Sequence, residues 1–245
     1  MSATDAPPPT GAHGHPNPLL TDHRRALLYG GAMVVLTVGM LVGVGIHPTE
    51  VAPITSLPVI GRVDGSFYDT IVQSRGGLLT AIFKLFDLTG RGLFTIPLRV
   101  VLLGVLLWRR RWGASVAFAI TWLVSEVGVE VLKPVFHRGR PPVPLVVTNG
   151  YSFPSGHATA GAAIAVSIVL AFFPHGVRRR KWVVAAIVFA FVMAFSRVYL
   201  GAHWLSDVET GVLFGTSAAL LSFAMVDAIR HTALDRTPDG VASPT

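Results

Sequence analysis

The chain has 245 residues, of which 51% are hydrophobic and only 13% charged, and its mean hydropathy is +0.59. A soluble domain carries about 25% charged residues, so a soluble globule is excluded, as are a disordered chain, a collagen repeat and, with no cysteine, a disulfide scaffold or Cys-ligated metal. The net charge of +7 does not point to nucleic acid, because the cations sit in short clusters between apolar runs while the aromatics lie inside those runs. What remains is an all-α integral membrane protein.

Residues 1–22, rich in Pro, Gly, His and Thr, read as a disordered cytoplasmic tail in which His13 and His15 are solvated. The first apolar run, Ala26 to Ile46, is long enough to cross a hydrocarbon core of about 30 Å. It is too long for a signal-peptide core and should stay as an anchor. Five more runs follow, at Gly92–Trp108, Trp112–Leu132, Ala158–Phe173, Trp182–Val198 and Val208–Ile229. The expectation is a bundle of six transmembrane helices over residues 23–231, with 232–245 as a flexible cytoplasmic tail. Between the first two spans, Ser66 to Phe86 mixes apolar and polar residues. This stretch reads as a helix lying in the membrane interface or as an extramembrane loop.

Lys and Arg in the short loops give the orientation. Eleven of the 20 cations (Arg24, Arg25, Arg109 to Arg111, Arg178 to Lys181, Arg230 and Arg236) fall on one side of the six-span plan, which is therefore cytoplasmic. Both termini then lie inside a multi-pass plasma-membrane protein. Inside the spans, Arg99 and the carboxylates Glu126 and Glu130 are too costly to face lipid. Arg99 either pairs internally with Glu126 or Glu130, or snorkels to the outer interface.

Three polar segments converge on the extracytoplasmic side: Lys133 to Pro141, Tyr151 to His157, and Ser196 to Asp207. Taken singly, each has an ordinary reading. Lys133, Arg138 and Arg140 serve as interfacial anchors, Ser155 as the N-cap of a helix, and Asp207 as a cap near the start of the last helix. Together they describe an anion site with acid–base groups. Arginine offers a fork to two phosphate oxygens, and lysine adds a compact charge. Ser155 and the N–H groups of Gly156 and His157 open a helix, whose N-terminus attracts anions. His203 and Asp207, four apart, would share one helix face, where the carboxylate keeps one imidazole nitrogen protonated and the other nucleophilic.

These segments resemble the three signature motifs of the type 2 phosphatidic acid phosphatase family, a group of membrane lipid phosphate phosphatases. Lys133, Arg140 and Pro141 match the first, Pro154 to His157 the second, and Ser196, Arg197, His203 and Asp207 the third. The resemblance implies attack on phosphorus by His203, a phosphohistidine oriented by Asp207, and His157 as general acid and then base. It implies that Lys133, Arg140, Ser155, Gly156 and Arg197 bind the phosphate, with no metal or other cofactor. The partners expected are a lipid phosphate (a polyprenyl diphosphate, phosphatidic acid or phosphatidylglycerol phosphate) and the bilayer, with no nucleic acid. A phosphotransferase with an alcohol acceptor would use the same residues. A carrier without chemistry is disfavoured, since binding alone does not call for His157, His203 and Asp207.

Overall fold

The computed structural model describes residues 18–45, 58–173 and 177–235, and among these all regular structure is helical. The helices are α1 (Pro18–Val44), α2 (Pro58–Gln73), α3 (Gly77–Gly90), α4 (Gly92–Trp108), α5 (Trp112–Phe136), α6 (Gly156–Phe172), α7 (Val177–Tyr199) and α8 (Leu205–Asp235). The ends of α1 and α8 move both tail boundaries, because residues 18–22 and 232–235 are helical. Proline suits the first turn of α1, where its missing N–H leaves no bond unmade. What is left of the two tails, including His13 and His15, lies outside the described residues.

The stretch from Ser66 to Phe86 is not a loop. It belongs to α2 and α3, broken at Ser74 to Gly76, where two adjacent glycines, Gly76 and Gly77, lower helix propensity and Gly76 is extended. The corner is tied down. Arg75 Nε donates to the Tyr199 carbonyl at 3.0 Å and Arg75 Nη1 to that of Val143 at 3.0 Å, while the Gly76 N–H donates to Tyr199 Oη at 2.8 Å.

Four helical segments are long and apolar enough to cross a membrane: Arg24–Val44, Trp112–Phe136, Arg179–Tyr199 and Leu205–Arg230. The other two expected spans fall short by themselves. The 17 residues of α4 and of α6 each reach about 26 Å at 1.5 Å per residue, less than a full hydrocarbon core. Only together with α3, across a 52° bend, does α4 satisfy the same test. Helix length therefore supports four or five spans. The apolar character of α6 has a second use, because Ala158, Ala162, Ala163 and most of its other residues are buried inside the bundle.

Small residues draw α6 against α8. A Cβ at Gly211 would lie 2.7 Å from the Ser155 carbonyl oxygen, and one at Gly215 would strike the Thr159 carbonyl. Two glycines four apart let the backbones approach as in other small-residue helix seams. This contact brings the start of α6 beside the start of α8, and the Ser155 N–H donates to the Asp207 carbonyl at 3.0 Å.

Arg99 is buried and ion-paired with Glu126, its guanidinium 5.5 Å from the Trp122 ring centre. Glu130 instead faces Lys133 at 3.7 Å. The internal pair thus joins α4 to α5. Glu126 is itself 54% exposed on a membrane-spanning helix, so removing Arg99 would leave its carboxylate unpaired against apolar surroundings, at a cost of about 2.5 kcal/mol. Arg99→Ala should lower the melting temperature in detergent by a few degrees; an unchanged melting temperature would reject the pair.

Candidate active site

The site begins with the turn between α7 and α8. Gly201 has φ +68°, and a Cβ there would lie 2.7 Å from the Val143 carbonyl oxygen, so both backbone conformation and space require glycine. The Gly201 and Ala202 N–H groups close the end of α7 on the Val198 and Arg197 carbonyls at 2.9 and 3.0 Å. The chain then reverses and presents His203 before α8 begins. Asp207, in the first turn of α8, accepts the Trp204 N–H on Oδ2 at 2.9 Å, a back-reaching cap. His203 therefore does not share a helix face with Asp207, as the spacing suggests. The two meet because Asp207 caps the helix that His203 precedes, leaving Asp207 Oδ2 3.5 Å from His203 Nδ1.

The nearer partner of that nitrogen is the Ser152 carbonyl, at 2.7 Å. A carbonyl can only accept, so Nδ1 carries the proton and Nε2 keeps its lone pair. Nε2 lies 3.3 Å from Arg140 Nη1. Burial pushes His203 down from 6.5 to about 4, and the charges of Arg140 and Arg197 act in the same direction against Asp207. His203 is thus a neutral imidazole with a fixed tautomer.

The two arginines after α5 are held in opposite ways. Arg140 donates to four neutral carbonyls, those of Asn149, Gly150, Tyr151 and Ala202, at 2.7 to 2.9 Å. These orient the guanidinium without cancelling its charge. Arg138 is buried between two carboxylates, with Nη1 2.5 Å from Asp207 Oδ1 and Nη2 2.6 Å from Asp64 Oδ2. Ser206 joins them, accepting from Arg138 Nη1 at 2.6 Å and donating to Asp64 at 2.6 Å. Although burial opposes its charge, Asp207 and Asp64 hold Arg138 above its usual range. That charge is consumed inside the protein.

Ser155 is the N-cap of α6, its Oγ accepting from the Ala158 N–H at 3.5 Å. A Cβ at Gly156 would meet nothing closer than Val129 Cγ1 at 3.6 Å, so protein packing does not demand glycine there. His157 turns toward α3. Its Nε2 is 3.1 Å from the Asp87 carbonyl and 3.4 Å from Asp87 Oδ1, and its ring lies so close to Gly90 that a Cβ there would be 2.8 Å from Cγ. The buried Asp87 carboxylate also bonds Arg197 Nη1 and, at 2.9 Å, Arg91 Nε. Arg197 Nε is buried and has no hydrogen-bond partner.

Two groups of the expected site residues therefore form. His203, Asp207, Arg140 and Ser155 surround the start of α8, while His157 and Arg197 gather on Asp87, with Arg197 close enough to act electrostatically on His203. Lys133 joins neither; among the described residues its ion-pair partner is Glu130. Sequence reasoning missed Ser152, which acts through its backbone, the structural role of Arg138, and both Asp64 and Asp87. The last two carried a signal. Asp64 is four and seven residues before the buried Tyr68 and Ile71, and Asp87 four after the buried Phe83. A carboxylate on the apolar face of a helix calls for a partner.

A model of the PAP2 superfamily matches residues 112–230, which include all three motif segments. Phosphatidylglycerophosphatase B of Bacillus subtilis (strain 168) is 34% identical over 145 residues, 56% of this chain and 68% of that protein. Undecaprenyl-diphosphatase of Sulfolobus acidocaldarius is 32% identical over 159 residues, 62% and 70% of the two chains. The fold matches the crystal structure of a transmembrane PAP2 type phosphatidylglycerolphosphate phosphatase from Bacillus subtilis, with a TM-score of 0.66 over 86% of this chain and 99% of that one, at 23% identity. With its motifs in order and two relatives above 30% identity each covered for more than two thirds of their length, the chain belongs to the PAP2 superfamily.

Proposed function

We propose that the protein is an integral membrane phosphatase that hydrolyses a lipid phosphate monoester or diphosphate through a phosphohistidine. The observation that carries this reading is the setting of His203, with Nδ1 bonded to the Ser152 carbonyl and the unprotonated Nε2 accepting a long, 3.3 Å contact from Arg140 Nη1. A nucleophile needs that fixed tautomer, and a neutral imidazole needs no base to activate it. The names of the relatives, a phosphatidylglycerophosphatase and an undecaprenyl-diphosphatase, support a lipid phosphate as substrate.

In this mechanism Nε2 forms a bond to phosphorus as the bond to the leaving oxygen breaks in line. His157 gives that oxygen its proton. Asp207 offsets the positive charge that develops on His203, in the manner of a triad carboxylate. Arg140, the unpartnered Nε of Arg197 and the N–H groups at the start of α6 hold the phosphoryl oxygens. Lys133 joins them by leaving Glu130, a weak partner that is 69% exposed. Water then attacks phosphorus, the P–N bond breaks, and His157 takes the proton of the water. The cations occupy the role that a metal has in other phosphoryl transfers, and no cofactor takes part. Space at Gly156 lets the substrate approach the backbone. In the bilayer α4 and α6 complete six spans, with the eleven clustered cations inside and the site on the extracytoplasmic face.

Purified protein should release phosphate from phosphatidic acid or undecaprenyl diphosphate in the presence of EDTA, and His203→Ala should lower the rate by at least about a thousandfold. Turnover that EDTA abolishes, or that His203→Ala leaves intact, would refute the mechanism. The pH profile gives a second test. His203 attacks only when neutral, and its proton affinity in the folded state corresponds to about 4 rather than 6.5. The acid limb of kcat/KM should therefore fall near pH 4, with activity retained at pH 5.5. A limb near 6.5 would show that the imidazole is not held in this environment.

A further inference from the structure

Asp64 has no part in the chemistry so far, yet it is 2% exposed and its hydrogen bonds go to Arg138 and Ser206, both next to Asp207. It comes from α2, outside the three motif segments and outside the stretch that matches the superfamily. Its Oδ2 is 2.6 Å from Arg138 Nη2 and takes the Ser206 hydroxyl proton, and its Oδ1 accepts the Ser206 N–H at 2.9 Å. Arg138 in turn holds both acceptors that flank His203 Nδ1. Its guanidinium binds Asp207 Oδ1, and its backbone carbonyl accepts the Ser152 N–H at 2.9 Å.

The charges explain why a second carboxylate is needed. One cation facing Asp207 alone would cancel the charge that a phosphorylated imidazole requires. With Asp64 on its other fork, Arg138 is shared, and the set Asp64, Arg138 and Asp207 keeps one net negative charge beside His203. Arg138 and Asp207 are 6% and 0% exposed, so solvent screens this balance little. We propose that Asp64 is a positioning residue for phosphoryl transfer: by sharing Arg138 it holds Asp207 against His203 and leaves Asp207 the charge to stabilise the phosphorylated imidazole. The proposal rests on the reading of His203 as the nucleophile.

The test uses the full chain in detergent with phosphatidic acid, comparing wild type, Asp64→Asn, Arg138→Lys and His203→Ala. Asp64→Asn keeps the shape and an oxygen for the Ser206 N–H but removes the charge. It should lower kcat roughly ten- to a hundredfold, the usual scale for a partner behind a functional ligand, with KM within about twofold because no substrate-binding group is touched. The groups facing His203 are Asp207 on α8, Arg140 after α5 and Arg197 on α7. Losing a negative charge behind Asp207 should move the acid limb of kcat/KM to lower pH, whereas mere loosening would admit water and move it up toward 6.5. Folded Asp64→Asn with wild-type kcat, or with its limb moved upward, would overturn the proposal. If Asp64→Asn does not fold, Arg138→Lys decides. It keeps the charge but cannot fork between two carboxylates, so kcat should fall at unchanged KM, and wild-type kcat would overturn the proposal. His203→Ala separates the two levels: activity there sinks the nucleophile reading, while an inactive His203→Ala beside a fully active Asp64→Asn sinks only the role of Asp64.

Discussion

Asp207 has two oxygens and three partners, and the geometry of the site follows from how they are shared. Oδ1 meets Arg138, while Oδ2 accepts the Trp204 N–H and faces His203. The same carboxylate that ends the turn after α7 thereby fixes where α8 starts, where the nucleophile candidate sits and which arginine is neutralised. The cap itself is local to the chain, spanning only Trp204 to Asp207. The contacts to Arg138 and Asp64 then attach that turn to α2 and to the segment after α5.

Burying so many charges in an apolar bundle is costly unless each is matched. The matching is uneven in a way that sorts the arginines. Arg138 lies between two carboxylates and Arg99 has one half-exposed Glu126, whereas Arg140 is held by neutral groups, four carbonyls and the His203 ring. Arg197 is intermediate, bonded to Asp87 by one nitrogen and left with an unsatisfied Nε. The charge of Arg140 is therefore left uncancelled by any carboxylate bonded to it, while that of Arg138 is matched. The α2–α3 segment performs much of this sorting, since it supplies both Asp64 and Asp87.

The apolar runs and the three polar segments were legible because periodicity and composition mark them directly. Helix ends were less so: α6 begins at Gly156 because Ser155 caps it, a feature readable from Pro-Ser-Gly-His, while α1 and α8 run past the apolar runs into polar sequence. The geometry expected for His203 and Asp207 was wrong, since the i, i+4 rule presumes that both residues are helical and Gly201 places His203 in a turn. The apolar-face positions of Asp64 and Asp87 call for partners without naming them, and the site arginines they hold, Arg138 and Arg197, are 74 and 110 residues away. Ser152 escaped because it acts through its backbone carbonyl, which every residue has. Lys133 shows the reverse: its motif position is clear, yet its side chain rests on Glu130.

The glycine seam between α6 and α8 has a mechanical meaning. His157 rides on the second residue of α6 and His203 on the turn that opens α8, and Gly211 and Gly215 bring the two backbones into direct contact. Backbone against backbone leaves no side-chain layer to compress or slide. When a bilayer thickens, thins or curves, helices that touch only through long side chains can tilt independently, but these two must tilt as one body. The spacing of the two helix starts that carry His157 and His203 is thereby insulated from changes in the surrounding membrane.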